Sequence, residues 1–227
     1  MRIGTAVLMP GLDGTGDLFA PFVDAAPPEI QCVVVRYPPH ETSLSALEEI
    51  ARSKLVDPCI VVAESFSGPI AVRIASDSRV RALVLCNSFI KSPVAPRVPL
   101  VFAANLFKIP IPKMALRSLL LDERVTRDFA ERTRTTISSI PASTLGERIR
   151  QICATDVQQA VGALQKPILY LRGENDRLVS ETYWKSLHAI RPDAKIVRIR
   201  GPHLLLQVSP RECWEAILQF GNHAGIF

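Results

Sequence analysis

The chain has 227 residues, of which 48% are hydrophobic and 22% are charged, and its net charge is +5. This composition is typical of one globular domain with a buried core, and it excludes a disordered chain. No apolar run approaches the roughly 20 residues that span a bilayer, so we expect no stable membrane insertion.

The five cysteines, Cys32, Cys59, Cys86, Cys153 and Cys213, are widely spaced and form no CxxC pair. This spacing predicts neither a disulfide framework nor a zinc site. It favours buried free thiols in a reducing compartment, and we expect a soluble, cytoplasmic protein. We predict no metal, no cofactor and no nucleic-acid partner, and the oligomeric state is left open.

Short apolar segments alternate with helix-like segments along the chain. Several of the apolar segments are continuous, which is typical of parallel strands covered on both faces. Strands that alternate with helices predict a doubly wound, mostly parallel six-stranded α/β sheet. The predicted strands are 3–9, 31–36, 59–63, 82–86, 168–171 and 195–199. The predicted helices are 43–55, 68–76, 180–190 and 210–220, and 17–25 is predicted to form a helix or a turn.

Residues 89–166 break this alternation. They open with a proline-rich stretch that interrupts any long helix. An amphipathic pattern typical of a helix follows over 114–137. We expect an inserted cap here, on a core formed by 1–88 and 167–227. Its apolar residues predict contact with an apolar acyl group or packing against the core; they are Leu100, Val101, Phe102, Leu106, Phe107 and Ile109.

The net charge is concentrated in this middle segment. Between Lys91 and Asp156 there are 11 basic and 6 acidic residues, which accounts for the whole excess of +5. Such a bias predicts either a solvated helix face, which is the commoner case, or a surface that attracts an anionic part of the substrate.

The segment VVAESFSGPIA, residues 61–71, has the composition of a nucleophile elbow. A strand ends, Ser65 follows between small residues two positions away on each side, and a helix begins. A serine in such a strained turn is exposed for attack, and the N–H of Phe66 at the helix start can face an oxyanion. The motif reads AxSxS where GxSxG is usual, with Gly68 one position later.

Three further loops follow predicted strands. MPGLDGTGDLF, residues 9–19, is a glycine-rich loop in which the N–H of Leu12 is a candidate oxyanion donor. LRGENDRLVS, residues 171–180, carries Asp176, with Glu174 as a second candidate acid. His203 lies in IVRIRGPHLLLQVSP, residues 196–210, whereas His188 and His223 are predicted surface residues. Each residue alone has a structural explanation, but together they follow the order Ser, Asp, His.

With PGLDGTG, AESFSG, RGENDRLV and GPHLLLQ, the sequence resembles the α/β-hydrolase superfamily over nearly its whole length. The resemblance implies a compact fold without the first two strands of larger members and a Ser65–His203–Asp176 triad. It also implies an oxyanion hole from Leu12 and Phe66, and cleavage of a small-molecule ester or thioester. Two alternatives stay open: an acyltransferase with the same triad, and a non-catalytic binding protein on this scaffold.

Overall fold

The computed structural model describes residues 4–92 and 119–225. Its centre is a six-stranded sheet in which every pair of neighbouring strands is parallel. The strand order is β2-β1-β3-β4-β5-β6. The strands are β1 (Gly4–Met9), β2 (Ile30–Val34), β3 (Cys59–Glu64), β4 (Val80–Cys86), β5 (Ile168–Gly173) and β6 (Lys195–Ile199).

Helices cover both faces of the sheet, which confirms the doubly wound prediction. Alternate strand residues face opposite layers: Val7 and Val61 belong to one apolar cluster, and Leu8 and Val62 belong to the other. The helices are α1 (Ala20–Asp24), α2 (Leu44–Ser53), α3 (Gly68–Ile74), α4 (Arg127–Ser138), α5 (Ala142–Cys153), α6 (Gln158–Ala163), α7 (Glu181–Ile190), α8 (Leu205–Val208) and α9 (Pro210–His223).

Local sequence signals fix several of these helix boundaries. The Ser43 and Ser180 side chains accept hydrogen bonds from first-turn N–H groups of α2 and α7, and Pro210 occupies the first turn of α9. α9 continues past the predicted end and includes His223. The segment 17–25 begins with a 3₁₀ turn over Asp17–Phe19 before α1.

Residues 89–166, the predicted insertion, contain α4, α5 and α6. The prediction of a continuous helical segment over 114–137 is wrong for its middle part, since α4 begins only at Arg127. The Asp122 carboxylate accepts the N–H of Arg124, and Thr126 caps α4 by accepting the N–H of Phe129, so the chain turns between these residues. Residues 93–118 lie outside the described residues, and with them the predicted apolar positions of the cap, Leu100 to Ile109.

The two ends of the insertion meet at its base. Lys91 and Asp156 form an antiparallel bridge, and the N–H of Val157 donates to the carbonyl of Ile90 at 2.8 Å. All five cysteines are free. In the part of the chain that the structure describes, no helix is both long and apolar enough to cross a membrane.

Candidate active site

The predicted site residues lie at one edge of the sheet, where the strands end. β1 and β3 are neighbours, although β2 lies between them in the chain, so the winding direction reverses at this pair. Crevices at such a reversal are the usual ligand sites of open α/β sheets. The glycine-rich loop follows β1, and Ser65 follows β3 directly.

Ser65 has the backbone strain expected of a nucleophile elbow. Its φ is 48°, a left-handed conformation that costs free energy for a residue with a side chain. A 3₁₀ turn over Ser65–Ser67 leads into α3. A Cβ atom on Gly68 would lie 1.8 Å from Ser88 Oγ, which in turn donates to the carbonyl of Ser65 at 2.7 Å. The close approach that this turn requires therefore falls at position 68, one place later than in GxSxG.

Ser67, which stands where the usual motif has glycine, joins the elbow to the glycine-rich loop. Its hydroxyl donates to the carbonyl of Pro10, and the Tyr37 hydroxyl lies 3.2 Å from Ser67 Oγ. The side chain is fully buried. A hydroxyl at this position thus fixes the distance between the two loops whose backbone N–H groups were predicted to face an oxyanion.

Ser65, His203 and Asp176 form one hydrogen-bonded series. Ser65 Oγ lies 2.9 Å from His203 Nε2. His203 Nδ1 lies 3.1 Å from each carboxylate oxygen of Asp176. Asp176 also accepts the N–H groups of Leu178 at 2.8 Å and Val179 at 3.1 Å, which hold the carboxylate in place. His203 and Asp176 are 4% and 9% exposed, so water screens this pair little. The other candidate acid, Glu174, is exposed.

Asn87 connects the loops that carry the acid and the histidine. It follows β4, is fully buried and has a φ of 44°, which asparagine tolerates better than most residues. Its amide nitrogen donates to the carbonyls of Pro202 (3.0 Å) and His203 (2.9 Å), and its amide oxygen accepts the N–H of Gly173 (2.8 Å). A Cβ on Gly173 would lie 2.5 Å from the Pro202 carbonyl oxygen, so only glycine permits this approach.

Glu64, directly before Ser65, is a buried carboxyl group. Gln207 Nε2 donates to its Oε2 at 3.1 Å, whereas Glu64 Oε1 and Gln207 Oε1 have no partner among residues 4–92 and 119–225. Burial raises the pKa of Glu64 to about 7, against the lowering effects of His203 and of the Gln207 hydrogen bond. A carboxyl group that titrates near neutral pH therefore lies beside the serine.

Ser65, His203 and Glu64 line one cavity of about 330 Å³. Gly11, Leu12, Ser65, Phe66 and His203 line its polar end. The first turn of a helix leaves N–H groups without intrahelical acceptors, so the N–H of Phe66 is available there. The rest of the wall is mainly apolar and comes partly from the inserted segment: Leu18, Phe89, Leu119, Leu120, Ile137, Leu145, Ile149, Ile152, Leu178, Val179 and Leu204.

The charges of the cavity are acidic. Asp13 and Glu64 line it, but no lysine or arginine does so in the described ranges. Three of the described basic residues in this segment have acidic partners: Arg124 pairs with Asp122, and Arg134 and Arg150 pair with glutamates three residues earlier. The Arg134 and Arg150 pairs are of the kind found on solvated helix faces, the first of the two explanations that the charge bias allowed.

A model of the family described as serine aminopeptidase, S33, matches residues 42–199, well over half of the chain. The chain belongs to this family of α/β-hydrolases. The predicted superfamily and the prediction of a hydrolase are thereby confirmed. The match begins after the glycine-rich loop, so that loop is not part of it. Among the curated proteins, none matches the chain in sequence.

Solved structures share the fold at low sequence identity. A bromoperoxidase from Bacillus anthracis is 17% identical with a TM-score of 0.83, over 96% of this chain and 92% of that one. An esterase from Exiguobacterium antarcticum is 10% identical with a TM-score of 0.82 over the same shares. An enol-lactonase from Burkholderia xenovorans LB400 is 16% identical with a TM-score of 0.76, over 98% and 92%. This hydrolase therefore has their fold.

Sequence reasoning missed several residues that shape the site. Asn87 had one local signal, since it is a polar residue directly after a predicted apolar strand. Glu64 had a similar signal, an acidic residue at the end of an apolar strand. The partner of Glu64, Gln207, and the arginine Arg148 of α5 carried none, because their contacts are distant in sequence.

Proposed function

We propose that the protein cleaves a carboxylic ester or thioester with an apolar acyl group through a Ser65–His203–Asp176 triad. The observation that carries the proposal is the hydrogen-bonded series from Ser65 Oγ through the His203 ring to the Asp176 carboxylate. Its order and contacts are those of a nucleophile, a base and the acid that orients the base.

In the proposed mechanism, Ser65 Oγ attacks the acyl carbonyl while His203 Nε2 takes its proton. Asp176 accepts the hydrogen bond from His203 Nδ1 and stabilises the imidazolium that forms. The tetrahedral intermediate collapses when His203 returns the proton to the leaving oxygen or sulfur. Water then attacks the acyl-enzyme by the same route, with His203 as base, and releases the acid.

The developing oxyanion is proposed to bind the N–H groups of Leu12 and Phe66. Both residues line the cavity next to Ser65 and come from the two loops that Ser67 joins. One donor of this kind contributes roughly 3 kcal/mol to transition-state stabilisation in comparable enzymes.

The cavity wall supports an uncharged, apolar acyl group as substrate. Its lining is mainly aliphatic, and the ionisable side chains Asp13 and Glu64 that reach it are acidic, so they supply no positive charge to hold an anionic substrate. We propose that residues 89–166 act as a cap, since α4 and α5 supply Ile137, Leu145 and Ile149 to this wall. The free state of all five cysteines supports a location in the reducing cytoplasm.

The first test is labelling with a fluorophosphonate probe, read by intact mass. We expect one adduct on the wild type, none on Ser65→Ala, and normal labelling of Ser186→Ala, a serine of α7 that does not line the cavity. Turnover of p-nitrophenyl butyrate by Ser65→Ala should fall by roughly 10³-fold or more. An unlabelled wild type would support a binding protein, and acyl transfer to added alcohols or amines would support a transferase.

A further inference from the structure

Arg148 of α5 is completely buried and holds four backbone carbonyl groups. Its Nη1 donates to the carbonyls of Leu12 and Asp13, each at 3.0 Å. Its Nε donates to the carbonyl of Glu41 at 3.0 Å, and its Nη2 to that of Pro38 at 2.9 Å. The planar guanidinium can satisfy several acceptors at once, which a lysine ammonium on a flexible stem cannot reproduce.

Two of these bonds act on the loop that carries the proposed oxyanion donor. The N–H of Gly14 donates to the carbonyl of Gly11 at 3.1 Å, which fixes the peptide group that contains the N–H of Leu12. Arg148 fixes the next two peptide groups through their carbonyls. A Cβ on Gly14 would lie 2.6 Å from Arg148 Nη1, so the loop and the guanidinium are in direct contact. The direction of the Leu12 N–H thus depends on Arg148.

The charge of Arg148 also lies close to the side chain of Phe66, the residue whose backbone N–H is the second proposed donor. Its guanidinium carbon is 6.0 Å from the ring centres of Phe66 and of Tyr37. The four acceptors are neutral carbonyl oxygens, and the nearby carboxylates of Asp13 and Glu41 offset part of the guanidinium charge. Burial lowers the pKa of Arg148, which reflects the cost of keeping this charge away from water. A cation held at such cost against the loop that carries the Leu12 N–H favours a developing negative charge at that loop.

We propose that Arg148 is a positioning residue through which the inserted segment fixes the oxyanion loop and supplies positive charge behind it. This inference rests on the proposed function, because it assigns a role relative to the N–H groups of Leu12 and Phe66. In this view α5 has two roles: its apolar residues line the substrate cavity, and its arginine completes the geometry of the oxyanion hole.

The test compares Arg148→Met and Arg148→Lys with matched variants at Arg191. Arg191 has a side chain that is 11% exposed and also donates to backbone carbonyls, those of Leu164 (2.5 Å) and Lys166 (3.1 Å), but it does not line the cavity. Kinetics with p-nitrophenyl butyrate are normalised to active sites counted by fluorophosphonate labelling, so that unfolded protein does not contribute. The affinity for a trifluoromethyl ketone, which forms a tetrahedral oxyanion, is measured on the same samples.

We expect Arg148→Met to lower kcat about 100-fold with KM changed less than about threefold, because the lost interactions act in the transition state. Arg148→Lys keeps the charge and should recover about tenfold of that loss. The affinity for the trifluoromethyl ketone should fall in proportion to kcat/KM. The Arg191 variants should lower Tm and leave kcat/KM and the affinity for the ketone unchanged.

The inference would be overturned if both Arg148 variants kept the wild-type kcat per active site and the wild-type affinity for the ketone. For Arg148→Met, this comparison uses the fraction of the protein that folds. Equal losses in the Arg191 variants would also overturn the inference, since they would indicate a general loss of structure. Failure of the proposed function gives a different result: the wild type itself is then not labelled at Ser65.

Discussion

Glu64 lies next to the proposed nucleophile, and the protonation of its carboxyl group links the stability of the fold to pH. Its carboxyl group is 2% exposed, and burial raises its pKa from 4.5 to about 7. The folded protein therefore binds a proton that the unfolded chain releases between these two values. Its contribution to stability is present below pH 4.5 and is lost as pH rises to about 7, because ionisation of the folded state costs free energy.

Glu64→Gln should remove this pH-dependent loss of stability, because glutamine does not ionise. The two pKa values differ by about 2.5, which corresponds to on the order of 3 kcal/mol. We expect the wild type to lose about this much free energy of unfolding between pH 4 and pH 8 relative to Glu64→Gln, as measured by urea titration. Glu49→Gln, at an exposed position of α2, serves as the control and should follow the wild type. Identical pH profiles for Glu64→Gln and the wild type would contradict the burial argument.

Asp176 and Glu174 were both candidates for the acid that orients His203. An amide at position 176 keeps a single acceptor oxygen, and its NH2 group can donate to His203 Nδ1, which favours the tautomer that cannot act as the base. We predict that Asp176→Asn lowers kcat by about 10³- to 10⁴-fold. Glu174→Gln changes an exposed side chain and should keep kcat within about twofold. The reverse pattern of losses in ester hydrolysis would refute the assignment of Asp176.

The sequence indicated the three proposed triad residues because each follows a strand in a short, recognisable loop. It could not indicate the environment of Glu64, since its partner Gln207 comes from a helix 143 residues later. For the same reason the sequence could not distinguish Arg148 from the other ten basic residues of the middle segment, although its side chain is completely buried. Local patterns report where the chain turns, but they do not report which distant groups meet there.

At the scale of elements, the end of β4 holds the neighbouring loops together. Asn87 links this strand to β5 and to the histidine loop, and Tyr170 of β5 donates to the carbonyl of Ser88 at 2.6 Å. The backbone adds further links between the two loops, such as the bond from the N–H of Asn175 to the carbonyl of Gly201 at 2.9 Å. The distance between Asp176 and His203 is therefore set by these contacts as well as by their own hydrogen bond.

Asn87→Ala removes three buried hydrogen bonds and leaves their partners unsatisfied. We expect a loss of about 3 kcal/mol in the free energy of unfolding and a lower kcat in the folded enzyme. Asn222→Ala, at the exposed end of α9, is the matched control and should change the free energy of unfolding by less than about 0.5 kcal/mol. Guanidinium titrations of both variants test this; a loss under 1 kcal/mol in Asn87→Ala would contradict it.

The strands were predicted within two or three residues of their observed ends, because buried parallel strands are continuous apolar runs in the sequence. α4 was predicted too early, since Leu121 and Val125 continue its apolar spacing while Asp122 and Thr126 turn the chain. Leu121 instead packs with Leu18 and Leu204 of the core. Apolar periodicity thus marked contact with the core correctly and the helix boundary incorrectly.

For the whole molecule, we expect the mainly apolar cavity, which residues of α4 and α5 help to line, to determine which substrates can reach Ser65. Leu178 lines this cavity and is 43% exposed, so it lies at its open side. We predict that Leu178→Ala lowers kcat/KM about fivefold for p-nitrophenyl hexanoate and less than twofold for the acetate, because about 1 kcal/mol of apolar contact is lost. Val56→Ala changes a valine of similar exposure that does not line the cavity, and should affect neither ester.

An acyl chain that ends in a carboxylate should be a poor substrate, since no lysine or arginine of the described residues lines the cavity to pair with it, whereas the carboxyl groups of Asp13 and Glu64 do line it. We expect kcat/KM to be at least about tenfold lower for a half-ester of a dicarboxylic acid than for a neutral ester of equal length. A preference for the anionic ester that disappears at high salt would contradict this and would support an anion-binding role for the inserted segment.

Covalent capture of the acyl group tests the central claim most directly. The protein is mixed with p-nitrophenyl butyrate, quenched in acid within the first turnovers, and analysed by intact mass and peptide mapping. We predict a mass increase of one butyryl group, located on Ser65 and absent from Ser65→Ala, together with a burst of nitrophenol. Steady turnover by Ser65→Ala at a rate close to that of the wild type would contradict it.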